Sequence, residues 1–246
     1  MRVGNRLFGL AAVALGLVGL AWGDFALQWQ PVPNEILHRA ELAYAVATAL
    51  VLAGAALNWR RTMAYGAALL TVLYGLGVVL LHAPRVAAHL ANVGAWNGLA
   101  EQLALVASSS IAFASVAPIE RDFAANISRF GRLAFGCCLP IFGLAHFSYL
   151  EFTASLVPKW LPPSQVFWAA ATGVAQAAAG FAILSGIQAR LASILLTVMY
   201  VIFGALVHAP AILAEPAAHL SWVTNAMNLA LIGAAWIVAD SLSERK

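Results

Sequence analysis

Six histidines and ten carboxylates supply the titratable chemistry of a chain in which charged residues make up only 9%. Two of the histidines stand in matching tripeptides, His82-Ala83-Pro84 and His208-Ala209-Pro210, and a tyrosine precedes each, Tyr74 and Tyr200. On a helix Thr71 and His82 fall about 20° apart with Tyr74 roughly 60° to the side, and Thr197, Tyr200 and His208 repeat that arrangement. Residues three, four or seven apart share a helix face. Three further polar stripes follow from that rule: Glu41, Tyr44 and Thr48; Asn97, Glu101 and Ser108; and Ser221, Thr224, Asn225 and Asn228. These faces are expected to point into a helix bundle, because an unpaired polar group facing lipid is costly. Imidazole, phenol and carboxylate groups so placed can hold a quinone-like headgroup by hydrogen bonds, and Glu41, Glu101 and Glu151 are candidate proton carriers. The competing reading of His82 and His208 is structural: each caps a helix ahead of a proline that prevents its continuation.

Other chemistries find less support. No two histidines stand at i and i+4, and neither cysteines nor methionines cluster beside them, so no metal site is expected. Glycine-rich phosphate loops, a nucleophile elbow and paired metal-binding helix motifs are missing, so no catalytic residue is assigned and no stand-alone enzyme is specified. Cys137 and Cys138 are adjacent, which strains a disulfide, and they read as packing residues. The basic residues are spread over several loops instead of forming one patch, which argues against nucleic acid.

The elements that must position these groups are membrane helices. With 63% hydrophobic residues the chain is far more apolar than a soluble domain. A bilayer core takes about 20 apolar residues per helix, and eight stretches qualify: 7–22, 41–57, 63–81, 97–117, 132–150, 165–185, 191–207 and 221–239. Cytoplasmic loops collect Lys and Arg. Arg2, Arg6, Arg60, Arg61, Arg121, Arg129, Arg132, Arg190, Arg245 and Lys246 fall at one side, against Arg39, Arg85 and Lys159 at the other. Both termini are therefore expected in the cytoplasm, with the protein in a bacterial inner membrane. The first apolar run, behind Arg2 and Arg6, also has the form of a secretory signal.

An internal repeat argues for keeping that run as a helix. A shift that lays 69–74 on 195–200 also lays His82-Ala83-Pro84 on His208-Ala209-Pro210, Gly54 on Gly180, Trp96 on Trp222 and 103–105 on 229–231. Closely similar shifts pair 19–21 with 143–145 and Val32-Pro33 with Val157-Pro158. The expected fold class is an all-α membrane protein of two tandem four-helix bundles, residues 1–117 and 132–246, joined by a cytoplasmic linker at 118–131. Because each copy has an even number of spans, the copies should be related by a pseudo-twofold axis along the membrane normal.

The second copy carries a family resemblance. Its Gly143-Leu144-Ala145-His146-Phe147, then Val157-Pro158-Lys159-Trp160-Leu161-Pro162, then Thr172-Gly173-Val174-Ala175-Gln176 ahead of Gly180, resembles the first two helices of the DoxX-like family of bacterial membrane proteins. The resemblance implies a four-helix bundle per copy and an association with respiratory or thiol redox chemistry at the quinone pool. Gln176 stands where many members of that family have a glutamate.

With the termini inside, His38, His82, His89, His146, His208 and His219 all fall toward the outer surface, together with most of the acidic residues. The expected site opens outward, and its candidate ligand-binding residues are Glu41, Tyr44, Tyr74, His82, Glu101, His146, Tyr200, His208 and Asn225. The function expected first is binding of a quinone or similar lipid-soluble molecule at the outer face, as a redox-associated subunit among other redox-enzyme subunits or as a homo-oligomer in the lipid bilayer. The alternatives are a small-molecule transporter or permease and a non-catalytic membrane assembly subunit.

Overall fold

The computed structural model describes residues 2–243. Glu244, Arg245 and Lys246, the last two counted above for orientation, lie outside them. Among the described residues, eight helices are long and apolar enough to cross a membrane: α1 (Val3–Trp22), α2 (Arg39–Leu57), α3 (Met63–Ala88), α4 (Val93–Val116), α5 (Arg121–Ser148), α6 (Gln165–Ser185), α7 (Ala189–Ala214) and α8 (His219–Ser243). No strand occurs among the described residues. A short helix, Leu150–Leu156, follows α5.

Local chemistry sets the ends. Asn92 Oδ1 accepts from the Ala95 amide at 3.1 Å, capping α4, and Ser164 Oγ accepts from Phe167 at 3.1 Å, capping α6. Gly23 ends α1 with φ at 62°, a conformation that favours glycine. A side chain there would also strike the Tyr44 hydroxyl.

Each helix packs on its chain neighbours, and α8 returns to α1, so the eight form a closed ring. Helices α4 and α8 also meet across its middle. Ser108 Oγ of α4 donates to the Ala234 carbonyl of α8 at 3.5 Å, and Ala234 is the residue onto which the repeat shift carries Ser108. Dispersion and close backbone approach hold such helices together in lipid. A Cβ at Gly54 in α2 would stand 2.8 Å from the Val13 amide and closer still to the Gly9 carbonyl, both in α1. Its counterpart Gly180 in α6 faces α5 in the same way, 2.8 Å from the Gly136 carbonyl.

Two departures from the sequence expectation concern helix continuity. The stretch 118–131 was read as a linker, yet α5 begins at Arg121; Arg121, Asp122 and Arg129 lower the hydropathy without stopping the helix. The prolines after His82 and His208 do not end their helices either. A π-helical turn, Val78–His82 in α3 and Gly204–His208 in α7, precedes each, and α-helix resumes over Ala83–Ala88 and Ala209–Ala214. Proline lacks an N–H and its ring crowds the carbonyl four residues back. A wider turn relieves that crowding, so the histidines sit inside continuous spans and are not terminal caps.

Candidate functional site

The loop 23–38 folds back onto the first four helices. Asp24 Oδ1 accepts from the Phe25 amide at 2.6 Å and from Arg39 Nη1 at 2.5 Å, and the Arg39 guanidinium lies 5.2 Å from the centre of the Phe25 ring. Gln30 Oε1 accepts from the Ala26 amide at 2.9 Å. This knot drives Phe25 and Trp29 into the bundle, where both are buried.

The Trp29 carbonyl is the hub of what lies beneath. His82 Nε2 reaches it at 3.1 Å and Gln102 Nε2 at 2.7 Å, which uses both lone pairs of one buried oxygen. A carbonyl can only accept, so the His82 proton resides on Nε2, and Nδ1 turns toward the bare backbone of Gly98. One helical step from Gln102, Glu101 Oε1 accepts from Asn97 Nδ2 at 3.1 Å, with the Trp29 side chain also at the carboxyl group. A cavity of about 360 Å³ opens beside these groups, lined among others by Gln28, His82, Arg85, Asn97, Glu101 and Tyr149. It combines a cationic donor, a carboxyl group, an amide and an imidazole, enough to orient a small molecule that both donates and accepts hydrogen bonds.

Of the nine candidate ligand-binding residues, the cavity unites only His82 and Glu101, together with Asn97 from the same polar stripe as Glu101. Tyr74 is buried lower in α3, its ring edge-on to Phe8 at 6.0 Å and 67°. Glu41 and Tyr44 lie on the outer surface of α2, the Tyr44 side chain 47% exposed, so the stripe expected to point inward points outward. Glu41 pairs there with His38 at 3.4 Å. His146 Nδ1 donates to the Phe142 carbonyl at 2.9 Å within α5, the tautomer opposite to that of His82. Tyr200 is buried against Phe203 in α7, and neither its hydroxyl nor the neighbouring Gln176 Oε1 completes a hydrogen bond. His208 and Asn225 are half-buried, and neither lines the cavity. Among the described residues no group of three or more His, Cys, Asp or Glu side chains is placed to hold a metal ion.

Gln102, Arg85 and Tyr149 are the site residues that sequence reasoning passed over. Gln102 could have been found as the neighbour of Glu101, and Arg85 was read only as a topology marker. The shift that carries His82 onto His208 carries Arg85 onto Ala211, Asn97 onto Val223 and Glu101 onto Met227. Besides His82, Gln102 keeps a polar counterpart, Asn228, whose Nδ2 donates to the Tyr200 carbonyl at 3.1 Å. The arginine, asparagine and carboxylate of this cavity thus have apolar residues at the positions 126 further along the chain.

The DoxX family model matches residues 128–209, a segment that runs from α5 through the π-helical turn of α7. No curated protein and no solved structure matches the chain.

Proposed function

We propose that this multi-pass membrane protein, a member of the DoxX family through residues 128–209, binds a lipid-soluble small molecule with a quinone-like hydrogen-bonding headgroup at its outer face. The observation that carries the reading is the cavity where His82, Arg85, Asn97 and Glu101 converge near the outer end of α4. Arg85 and Asn97 can donate to carbonyl oxygens of such a headgroup, and Glu101 can exchange a proton with it. The protein then acts as a redox-associated subunit that presents its ligand to partner proteins.

Orientation supports an outward site. Arg2, Arg6, Arg60, Arg61, Arg121 and Arg129 gather at the end opposite the cavity, which supports a reading with both termini in the cytoplasm of a bacterial inner membrane. Two tandem bundles related by a pseudo-twofold axis account for the matching π-helical turns and for the Ser108–Ala234 pairing.

Mass spectrometry of the protein purified in a mild detergent tests the reading. Stoichiometric quinone is expected in the wild type. In Glu101→Gln combined with Arg85→Ala it should fall by about ten-fold or more, the loss expected from one or two charge-assisted hydrogen bonds. His146→Ala, which does not line the cavity, should retain it. Quinone absent from the wild type, or retained in the double variant, counts against the site.

One observation favours a second reading, transport. Helices interrupted at matching positions of two repeats are a recurring feature of transporter sites, and α3 and α7 are interrupted in this way. Substrate uptake into proteoliposomes is the outcome that supports it.

A further inference from the structure

The polar cavity is one of two spaces that meet where α4 packs on α5. Beside it an open cleft of about 500 Å³ is lined by His89, Ala91, Asn92, Val93, Ser148 and Tyr149. Asn92 and Tyr149 line both spaces and so form the partition between them. Tyr149 follows the last residue of α5, at φ −120° and ψ 40°, where the chain leaves the helix. Its hydroxyl accepts from the Gly94 amide at 3.0 Å. That amide belongs to the first turn of α4, whose N–H groups find no carbonyl within their own helix. Tyr149 is 44% exposed, so this bond is a principal restraint on its side chain. A Cβ at Gly94 would stand 3.0 Å from the hydroxyl, so the close approach depends on a residue without a side chain. The counterpart seam, between α8 and α1, is filled differently: Trp22 and His219 stack there at 5.0 Å and 9°.

We infer that Tyr149 gates the site: while its hydroxyl is held by Gly94 the cleft and the cavity are separate, and when it swings away they become one passage from the outer surface to Glu101. The inference rests on the reading of the cavity as a ligand site and specifies the class of ligand. It is an amphiphile whose polar head reaches His82, Asn97 and Glu101 while its apolar tail lies along Ala91 and Val93 toward the lipid. The passage serves the α4–α5 seam alone, since the aromatic stack closes its counterpart.

Covalent labelling of Glu101 by a water-soluble carbodiimide, read by mass spectrometry of the purified protein, tests the gate without requiring any activity. The carboxyl oxygen adds to the carbodiimide carbon and the carboxyl proton passes to its nitrogen, after which the O-acylisourea rearranges to a stable N-acylurea. Tyr149→Phe removes the acceptor but keeps the ring, and it should raise the rate of Glu101 labelling about three- to ten-fold, the population change that one lost hydrogen bond allows. Gly94→Ala, which crowds the hydroxyl from the other side, should raise it in the same direction. Trp22→Ala at the opposite seam should leave the rate as in the wild type. Wild-type rates in both Tyr149→Phe and Gly94→Ala, an equal rise in Trp22→Ala, or no Glu101 adduct in any variant overturns the gate. Faster labelling in a protein that carries no quinone keeps the gate and removes the quinone reading. Bound quinone with unchanged labelling does the reverse.

Discussion

Gly54→Leu is expected to remove most of the folded protein from the membrane fraction. The substitution places four carbon atoms where α1 backbone already stands, with the Val13 amide 2.8 Å from the position of a Cβ. Overpacking a core with movable side chains costs about 1–3 kcal/mol. Here the obstacle is main chain, so α1 and α2 can only separate, and the contact that drives their association in lipid is lost with them. Size-exclusion chromatography of a fluorescent fusion in mild detergent reads the outcome. Leu52→Ala, on the exposed side of the same helix, should elute like the wild type. A normal monodisperse peak for Gly54→Leu would mean that the helices do not depend on this approach.

The second large effect concerns the Trp29 carbonyl. His82→Ala leaves Gln102 donating to it, and Gln102→Leu leaves His82, so each single variant keeps one hydrogen bond on that oxygen. The double variant leaves a buried acceptor with neither donor, a penalty of about 1–3 kcal/mol beyond the sum of the single effects. The loop 23–38, anchored through that oxygen, should then loosen, and the midpoint of thermal unfolding in detergent should fall by more than the two single shifts combined. Strict additivity would show that the two donors do not share the acceptor. Tyr44→Phe, on the exposed face of α2, should change the midpoint little.

Much of the architecture was legible because hydropathy over a bilayer-length window is a strong signal. Gln165–Ser185 matches its sequence range, and the other spans differ mainly at their ends. The early start of α5 was hidden because Arg121, Asp122 and Arg129 read as loop although helical backbone tolerates them at a membrane surface. Periodicity placed Glu41 and Tyr44 on one face correctly, but it carries no information about which way that face turns. It failed differently for Thr71 and His82, since the 20° between them presumes an uninterrupted α-helix and the π-helical turn falls between the two. The partners that complete the site come from loops and helix ends: the Trp29 carbonyl is a backbone group of a loop, and Tyr149 reaches the cavity from beyond the far end of α5, 55 residues from its partner Gly94. No single-helix pattern encodes either.

The wide turn in α3 also bears on how the chain can change in length. On a regular helix Val86 would lie about 120° round from Tyr74, yet both side chains are buried. A π-helical turn holds one residue more than an α-helical turn, and that residue takes out about 100° of rotation. A deletion of one residue within 78–82 would therefore leave Tyr74 and Val86 on a common face, with Pro84 bending the helix in place of the wide turn. The same deletion at Leu69 or Leu70 would instead roll the two parts of α3 against each other by about 100°. The turn at 204–208 offers the second copy the same latitude. Helices α3 and α7 thus each contain one place where a deletion changes the count of residues without rotating the buried face.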